Sequence, residues 1–581
     1  MRKNISLFGL IIAMFIGIVD STVINVTLPS IQHYFNTTLA NVSWVSTSYL
    51  LALTVFMLIG SKLADQHGRK KLISLGLLLF GAFSFLCAIA QNLTLLIVFR
   101  FFQGIGGAII TPLILPIGVN LFGKERLPLI ASIGGAVSAL AAAGGPPIGG
   151  LILHYLNWRW IFGINLPFTG IALIIILLLV PESYDETASS KIDLGGMTSL
   201  AISMLLINFA LLKSNDYSWH SPIIYGSLIL GIVVLLIFIL IEAHISYPMF
   251  DFYLLREKTF TTSCIVYGIT GFSLVGPTLI LNYYLQNLMA YTALKAALIT
   301  MTVSLTVIIA MPLGTKLAGR FNASLVNTLG VILIVLSLLL LSLIRTKASN
   351  NQIILFLIVN GFGFGFTSQS LVSAVKYLPV AKNGLGSGMV NMARQFGTCI
   401  GVAVLMTCLS TNINTARTHI RHQIHHEILT SFSSPTIQKR LYKQTNQLLT
   451  KSNMTRINST KNNQRKLFMA DLQTAERPHT SLFLRLYNIN NDITAQNSRL
   501  LIQLRQKNDI AAKPVQQIAN AQHKLGQAIT VTSQIVSLQK LATNMKKAAI
   551  RQIRQAFARV YLICALIVSL FIPVGLFTDK D

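Results

Sequence analysis

Apolar residues along this chain come in long, nearly unbroken runs, not in an alternating or one-sided pattern. Runs long enough to cross a hydrocarbon core of ~30 Å, about 20 residues each, lie at approximately 5–28, 42–61, 72–91, 94–120, 126–153 and 159–180. Others follow at 194–213, 222–243, 259–285, 293–313, 323–343, 353–376, 385–409 and 556–577. Each of these fourteen predicts a membrane-spanning helix, because a bilayer admits only helices or closed barrels and the runs lack a barrel's alternation. Residues 411–550 break the pattern: they are rich in Asn, Gln, Lys and Thr and hold no run long enough to span. Within them, 496–510 and 515–556 carry Leu and Ile at helical spacing, which predicts amphipathic helices able to form a hairpin.

Composition sharpens this reading. Of 581 residues 53% are hydrophobic and 11% charged, where a soluble globular chain carries roughly a quarter charged residues. The expected fold class is therefore an all-α polytopic membrane protein. Met1-Arg2-Lys3 leads into an apolar run that passes any small-residue cleavage site, so the first span is expected to stay. Cys87, Cys264, Cys399, Cys408 and Cys564 form no CxxC pair, so neither a metal framework nor a disulfide is expected. The net charge is +28, and +15 of it sits in 411–550. Sixteen Lys/Arg in short connections fall on one side of the fourteen spans and five on the other. The positive-inside bias then places both termini in the cytoplasm and the basic insert outside the cell membrane. There the insert is expected either to contact anionic lipid or cell-wall polymer or to be a solvated decoration. No nucleic-acid partner is expected.

Few ionisable groups lie at membrane depth. Asp20, in Ile18-Val-Asp-Ser-Thr-Val-Ile-Asn25, is the acid that stands out deep inside a span, and such a group is a functional hypothesis by default. Burial disfavours its charged form, as a proton carrier needs, and a nearby cation would oppose that. Arg100, in Arg100-Phe-Phe-Gln-Gly-Ile-Gly-Gly-Ala108, lies at a matching depth, both groups being about 9–12 Å below the outer surface at ~1.5 Å per residue. Pairing is possible if the two helices are neighbours; otherwise Arg100 snorkels. Span 5 ends in Gly144-Gly-Pro-Pro-Ile-Gly-Gly150, where small residues allow close contact and two prolines remove backbone donors. The 60–71 tract packs Gly60, Asp65, Gly68, Arg69 and Lys70 into a tight turn between spans 2 and 3. Gly314-Thr-Lys-Leu-Ala-Gly-Arg320 echoes it between spans 10 and 11, as an internal repeat of two bundles implies.

Candidates to line a cavity are Asn25, Gln103, Tyr283, Tyr284, Gln286, Asn360, Gln369, Asn391, Arg394 and Gln395, each of which could equally make a helix-packing hydrogen bond. The C-terminal half shows no second deep acid. His419, His422 and His426 share a helical face, and a solvated helix is favoured there over a zinc site. There is no phosphate-binding loop and no hydrolase triad, so neither an enzyme nor an ATP-driven pump is expected.

The 60–71 order resembles the loop 2–3 signature of the major facilitator superfamily. Asp20-Ser-Thr with Asn25 and Leu28-Pro29 is similar to the span 1 signature of its fourteen-helix drug:proton antiporters. The 100–108, 144–150, 157–167 and 386–397 stretches are likewise similar, with 157–167 expected to be structural, and the resemblance covers residues 1–410 and 551–577. It implies a six-helix bundle at 1–180, two linker helices at 181–250, and a second bundle from 251–410 and 551–581, with 411–550 inserted. It further implies a monomer without cofactors that uses the proton gradient to expel lipophilic compounds by alternating access. In that scheme Asp20 and Arg100 couple the proton, while the 60–71 loop and Gly145, Pro146, Pro147, Gly149 and Gly150 serve the conformational change. The alternatives are a dedicated exporter of a lipid or metabolite, and a membrane scaffold working through its insert.

Overall fold

The computed structural model describes residues 2–123, 127–184, 193–217, 219, 221–245, 254–344, 349–376, 383–431, 435, 438–443, 481–506 and 512–579. Every regular element among them is a helix. In chain order these include α1 (Arg2–Tyr34), α2 (Leu39–His67), α3 (Arg69–Ile89), α4 (Leu93–Phe122), α5 (Leu127–Tyr155), α6 (Trp160–Gly163), α7 (Asn165–Leu179), α8 (Leu194–Tyr217) and α9 (Pro222–His244). Then come α10 (Lys258–Tyr283), α11 (Ala293–Arg320), α12 (Ala323–Ser342), α13 (Asn350–Thr367), α14 (Gln369–Lys376), α15 (Asn383–Ser431), α16 (Ser481–Gln506), α17 (Ala512–Ser569) and α18 (Ile572–Gly575). All fourteen apolar runs fall on these helices. Twelve described helices are long and apolar enough to cross a membrane; the runs at 126–153 and 194–213 fall on α5 and α8, outside that twelve.

Local chemistry sets the helix starts. Thr38, Asn92, Thr292 and Ser349 cap α2, α4, α11 and α13 with side-chain oxygens, and Gln352 closes a reciprocal capping box with Ser349. Between α2 and α3 a single residue, Gly68, makes the turn at φ +112°, which a Cβ would strain.

The described residues divide into two compact units, Met1–Asn412 with Ala556–Asp581, and Ile413–Gln555. In the first, α1 packs on α5 and α7, α2 on α4, and α3 on α4 and α7, while α11 packs on α13, and α12 on α13. The same close contacts recur in both halves of the chain. Gly60 of α2 faces the Ile109 backbone of α4, and Gly314 of α11 faces Phe366 and Gly365 of α13. Gly145 and Gly149 of α5 abut Thr22 and Val23 of α1, and Gly397 and Gly401 of α15 abut Gly268 and Phe272 of α10. Between the halves, α8 and α9 pair through Gly231, whose carbonyl accepts from Ser203 at 2.8 Å. Only Ile224, Gly231, Phe238 and Glu242 of α9 are buried. This stripe leaves Ile223, Ile229, Leu230, Leu236 and Leu240 to lipid.

In the second unit α16 and the first part of α17 run antiparallel, joined by Asn490 and Asn497, which donate to the backbone carbonyl and side chain of Gln522 at 3.2 and 2.6 Å. His419, His422 and His426 are exposed.

Candidate functional site

Asp20 and Arg100, level by residue counting, are in contact. Arg100 Nη1 donates to Asp20 Oδ2 at 2.6 Å, and both side chains are fully buried. Such a pair is expensive to desolvate and holds only if the remaining lone pairs and protons are satisfied. Neighbouring helices supply the partners. Gln103 Nε2 and Asn165 Nδ2 donate to Asp20 Oδ1 at 3.1 and 2.8 Å. Arg100 also donates from Nη1 to Gln103 Oε1 at 2.8 Å and from Nε to the Val45 carbonyl at 3.2 Å. Ser84 Oγ of α3 accepts from Gln103 and Asn165 at 2.8 and 3.3 Å. The guanidinium lies 4.2 Å from the Tyr49 ring centroid, a cation–π contact in a dry site. Arg100 Nη2 is buried without a hydrogen-bond partner. The arrangement therefore depends on the Asp20 charge: a neutral carboxyl would leave a buried guanidinium without its counter-ion.

Gln103, one of the cavity candidates, belongs to this network with both amide atoms engaged. Its spacing from Arg100, three residues along one helix face, is the signal available in sequence. Sequence reasoning misses Asn165 and Ser84; Asn165 lies in the 157–167 stretch expected to be structural.

The glycines of α4 give the network its tight frame. Gly104 faces the Tyr49 carbonyl, Gly106 the backbone of Gly76 and Phe80, and Gly107 the Tyr49 hydroxyl. At one end of the bundle α5 spans to the other half of the chain. A methyl group at Gly150 would stand 2.6 Å from Leu294 Cα of α11 and 3.1 Å from Ala297 Cβ. Pro146 lacks the N–H that would reach the Ala142 carbonyl four residues back, and Ser304 of α11 donates to that carbonyl at 3.1 Å. Gln286, in a π-helical turn after α10, donates to the Val26 carbonyl of α1 at 2.9 Å. Pro146 and Pro147 both lie inside the continuous helix α5.

At the opposite end, the 60–71 turn is held by Glu182, a residue without a sequence signal of its own. Glu182 Oε1 accepts from the Lys70 N–H at 2.8 Å, and the Ser183 carbonyl accepts from the Arg69 N–H at 2.9 Å. A carboxylate thus sits on the α3 N-terminus, where free N–H groups and the helix dipole favour it. Gly68 is needed twice, for its φ and because a Cβ would lie 2.7 Å from the Glu182 carboxyl carbon. The Asp65 side chain lies outside the described residues. Beside this turn, Val55 and Ile59 of α2, with Phe56 and Leu63, pack with Ala201 of α8. Lys62 continues the α2 face towards two acids buried to 2% exposure, Asp193, which caps Gly196 N–H at 2.8 Å, and Glu242 of α9. Burial lowers the proton affinity of Lys62, and the Glu242 and Asp193 charges oppose that. Glu242 is a second acid within an expected span, at its end.

The other cavity candidates separate into groups. Gln369 bridges α14 to Thr315 of α11 at 2.9 Å. Asn25, Tyr283 and Asn360 are buried with Oδ1, the hydroxyl and Nδ2, respectively, lacking a hydrogen-bond partner. Tyr284 is buried edge-on to Phe557 at 5.5 Å. Asn391, Arg394 and Gln395 are half-buried along α15.

Helical halves repeating the same contacts, lipid-facing apolar surfaces and a buried charge network define a multi-pass membrane carrier. The chain belongs to the Major Facilitator Superfamily, which its residues 10–402 match. It is 29% identical over 414 residues to the multidrug transporter protein MdtP of Bacillus subtilis, covering 71% of this chain and 76% of that one. It is 28% identical over 406 residues to the riboflavin transporter RibZ of Clostridioides difficile, covering 69% and 87%. Among solved structures, a POT family transporter with 5-aminolevulinic acid superposes with a TM-score of 0.54 at 18% identity, over 70% of this chain and 90% of that one. A D-xylose-proton symporter does so at 0.51 and 12% identity, over 69% and 89%. These likenesses establish the fold.

Proposed function

We propose that this transporter expels lipophilic small molecules across the cell membrane in exchange for protons by alternating access. The observation that carries the reading is the Asp20 carboxylate, enclosed by donors from Arg100, Gln103 and Asn165. A proton arriving on Asp20 cancels the charge that holds Arg100, so the network must rearrange, and the helices carrying it move with it. Both termini and the 60–71 turn lie on the cytoplasmic side, where Lys/Arg of the short connections concentrate. The α5–α11 contact at Gly150 then closes the outer end, and the 60–71 turn with Glu182 acts as the inner latch. The protein works as a monomer, with the proton gradient as its energy source and no cofactor. Relatives named as multidrug resistance and export proteins support efflux of drugs.

The second reading is dedicated export of one metabolite, favoured by a relative named a tetracenomycin C resistance and export protein, with a relative named a riboflavin transporter supporting a single substrate. A resistance and dye-efflux panel with and without an uncoupler tests the proposal. Efflux of several unrelated lipophiles that collapses with the uncoupler supports it. A single accepted compound supports the second reading, and efflux indifferent to the uncoupler contradicts proton coupling.

A further inference from the structure

Charge is distributed unequally between the two halves. Between Glu257 and Glu427 the sequence contains no Asp or Glu, and none occurs in 556–577. The C-terminal half therefore has no acid at membrane depth, yet it holds a cation there. Arg394 lies nine residues into the expected span 385–409, roughly 13 Å along the axis at ~1.5 Å per residue, beyond what a side chain spans by snorkelling. Its backbone is fixed: a Cβ at Gly268 would press on the Ala393 carbonyl at 3.3 Å, and Gly271 abuts the carbonyl of Arg394 itself. The guanidinium stands 5.5 Å from the Tyr267 ring centroid. Its Nε is buried without a hydrogen-bond partner, and among the described residues no carboxylate pairs with it.

Five described acids near the bundles are engaged elsewhere. Asp20 accepts three donors, Glu182 caps α3, Asp579 pairs with Lys376 at 3.2 Å, and Asp193 and Glu242 lie by Lys62. An intramembrane cation that no described carboxylate pairs is costly unless a ligand supplies the charge. Guanidinium offers planar, bidentate recognition of carboxylate, sulfonate or phosphate, and the Tyr267 ring adds an aromatic surface.

We infer that Arg394 is an anion-recognition residue for the cargo, and that the compounds this transporter takes best are aromatic or lipophilic monoanions. This rests on the efflux reading above and names its substrate class. The charge balance favours it: one anion leaving as one proton enters moves two charges in the direction that an inside-negative potential drives. Export of a monocation against one proton would move none.

The test uses the full-length protein in detergent and in phosphatidylcholine vesicles, with three matched pyrene probes: a sulfonate, a neutral alcohol and a quaternary ammonium. The wild-type protein is expected to bind the sulfonate about tenfold more tightly than the alcohol, the ammonium most weakly. Arg394→Gln should erase that preference and leave alcohol binding within about twofold, while Arg394→Lys retains part of it. In vesicles with a pH gradient, an inside-negative potential should accelerate sulfonate efflux and leave ammonium efflux unchanged. Equal loss of all three probes in Arg394→Gln overturns the inference, as does a wild-type preference for the ammonium. Displacement of the sulfonate by phosphatidylglycerol without any sulfonate transport also overturns it, assigning the site to a lipid head group. Failure of every probe to respond to the pH gradient, with the binding preference intact, would instead sink the proton-exchange reading.

Discussion

The two halves of the transporter body share contacts and differ in chemistry. The contacts of Gly145 and Gly149 of α5 with α1 are matched by those of Gly397 and Gly401 of α15 with α10, and that of Gly60 of α2 with α4 by that of Gly314 of α11 with α13. Yet the N-terminal half buries a complete acid–base pair, and the C-terminal half carries Arg394 in a stretch without acids, with no carboxylate partner among the described residues. Close packing needs only small residues and fixes backbone distances, so one repeat can serve both halves. Charge at membrane depth is expensive and is placed only where a task uses it. The N-terminal half would then handle the proton and the C-terminal half the cargo.

The largest effect expected from disturbing this contrast is at Asp20. Asp20→Asn keeps the shape of the carboxyl and should lower pH-driven efflux by on the order of 100-fold, the factor that about 3 kcal/mol of lost coupling represents. Probe binding should survive within a few-fold. Arg100→Met alone leaves a buried, uncompensated carboxylate and should cost about 3–5 kcal/mol of stability. The Asp20→Asn/Arg100→Met double variant should regain most of that, without regaining transport. Thermal unfolding in detergent and proteoliposome flux separate the two readouts; an Arg100→Met variant as stable as the double would contradict the pair's energetics.

Next is the contact between the halves. Gly150→Val places a branched side chain where Leu294 Cα would be 2.6 Å from its Cβ, so the α5–α11 face must part. We expect transport to fall about tenfold, the equivalent of about 1.4 kcal/mol, and cysteine labelling near Leu294 to rise. Unchanged labelling would mean the face does not close as described.

Smaller again is the turn at Gly68. Gly68→Ala meets both the positive φ and the Glu182 carboxyl, and should cost about 1–2 kcal/mol. Glu182→Gln, which weakens only the charged cap on α3, should cost about 1 kcal/mol or less. Comparable losses for the two would show that the conformation of the turn adds nothing. The smallest effect is expected at the linker helices. Lys62 is only part-buried and solvent screens its charge, so weakening its attraction through Glu242→Gln should shift stability by under about 1 kcal/mol in thermal unfolding.

Much of this architecture is legible in the residues, because span length and polarity are one-dimensional properties. All fourteen apolar runs fall on helices, and residue counting alone puts Asp20 and Arg100 level, where the structure joins them at 2.6 Å. What stays hidden depends on which helices are neighbours. Asn165 and Ser84 are ordinary polar residues until α7 and α3 bring them to Asp20. Ser304 matters only because Pro146 frees the Ala142 carbonyl on the facing helix. Glu182 lies over a hundred positions from Lys70, whose N–H it caps. Gln103 carries a readable signal, its three-residue spacing from Arg100, but its amide could face a cavity or an ion pair until the partner's position is known.

The most direct test of the role of Asp20 is proton release. Purified protein in lightly buffered detergent is mixed with a transported probe, and pH is followed with an indicator dye. The wild-type protein is expected to release protons as the probe binds, and Asp20→Asn to release none while binding it equally well. Equal release from both would contradict the assignment of the exchanged proton to Asp20.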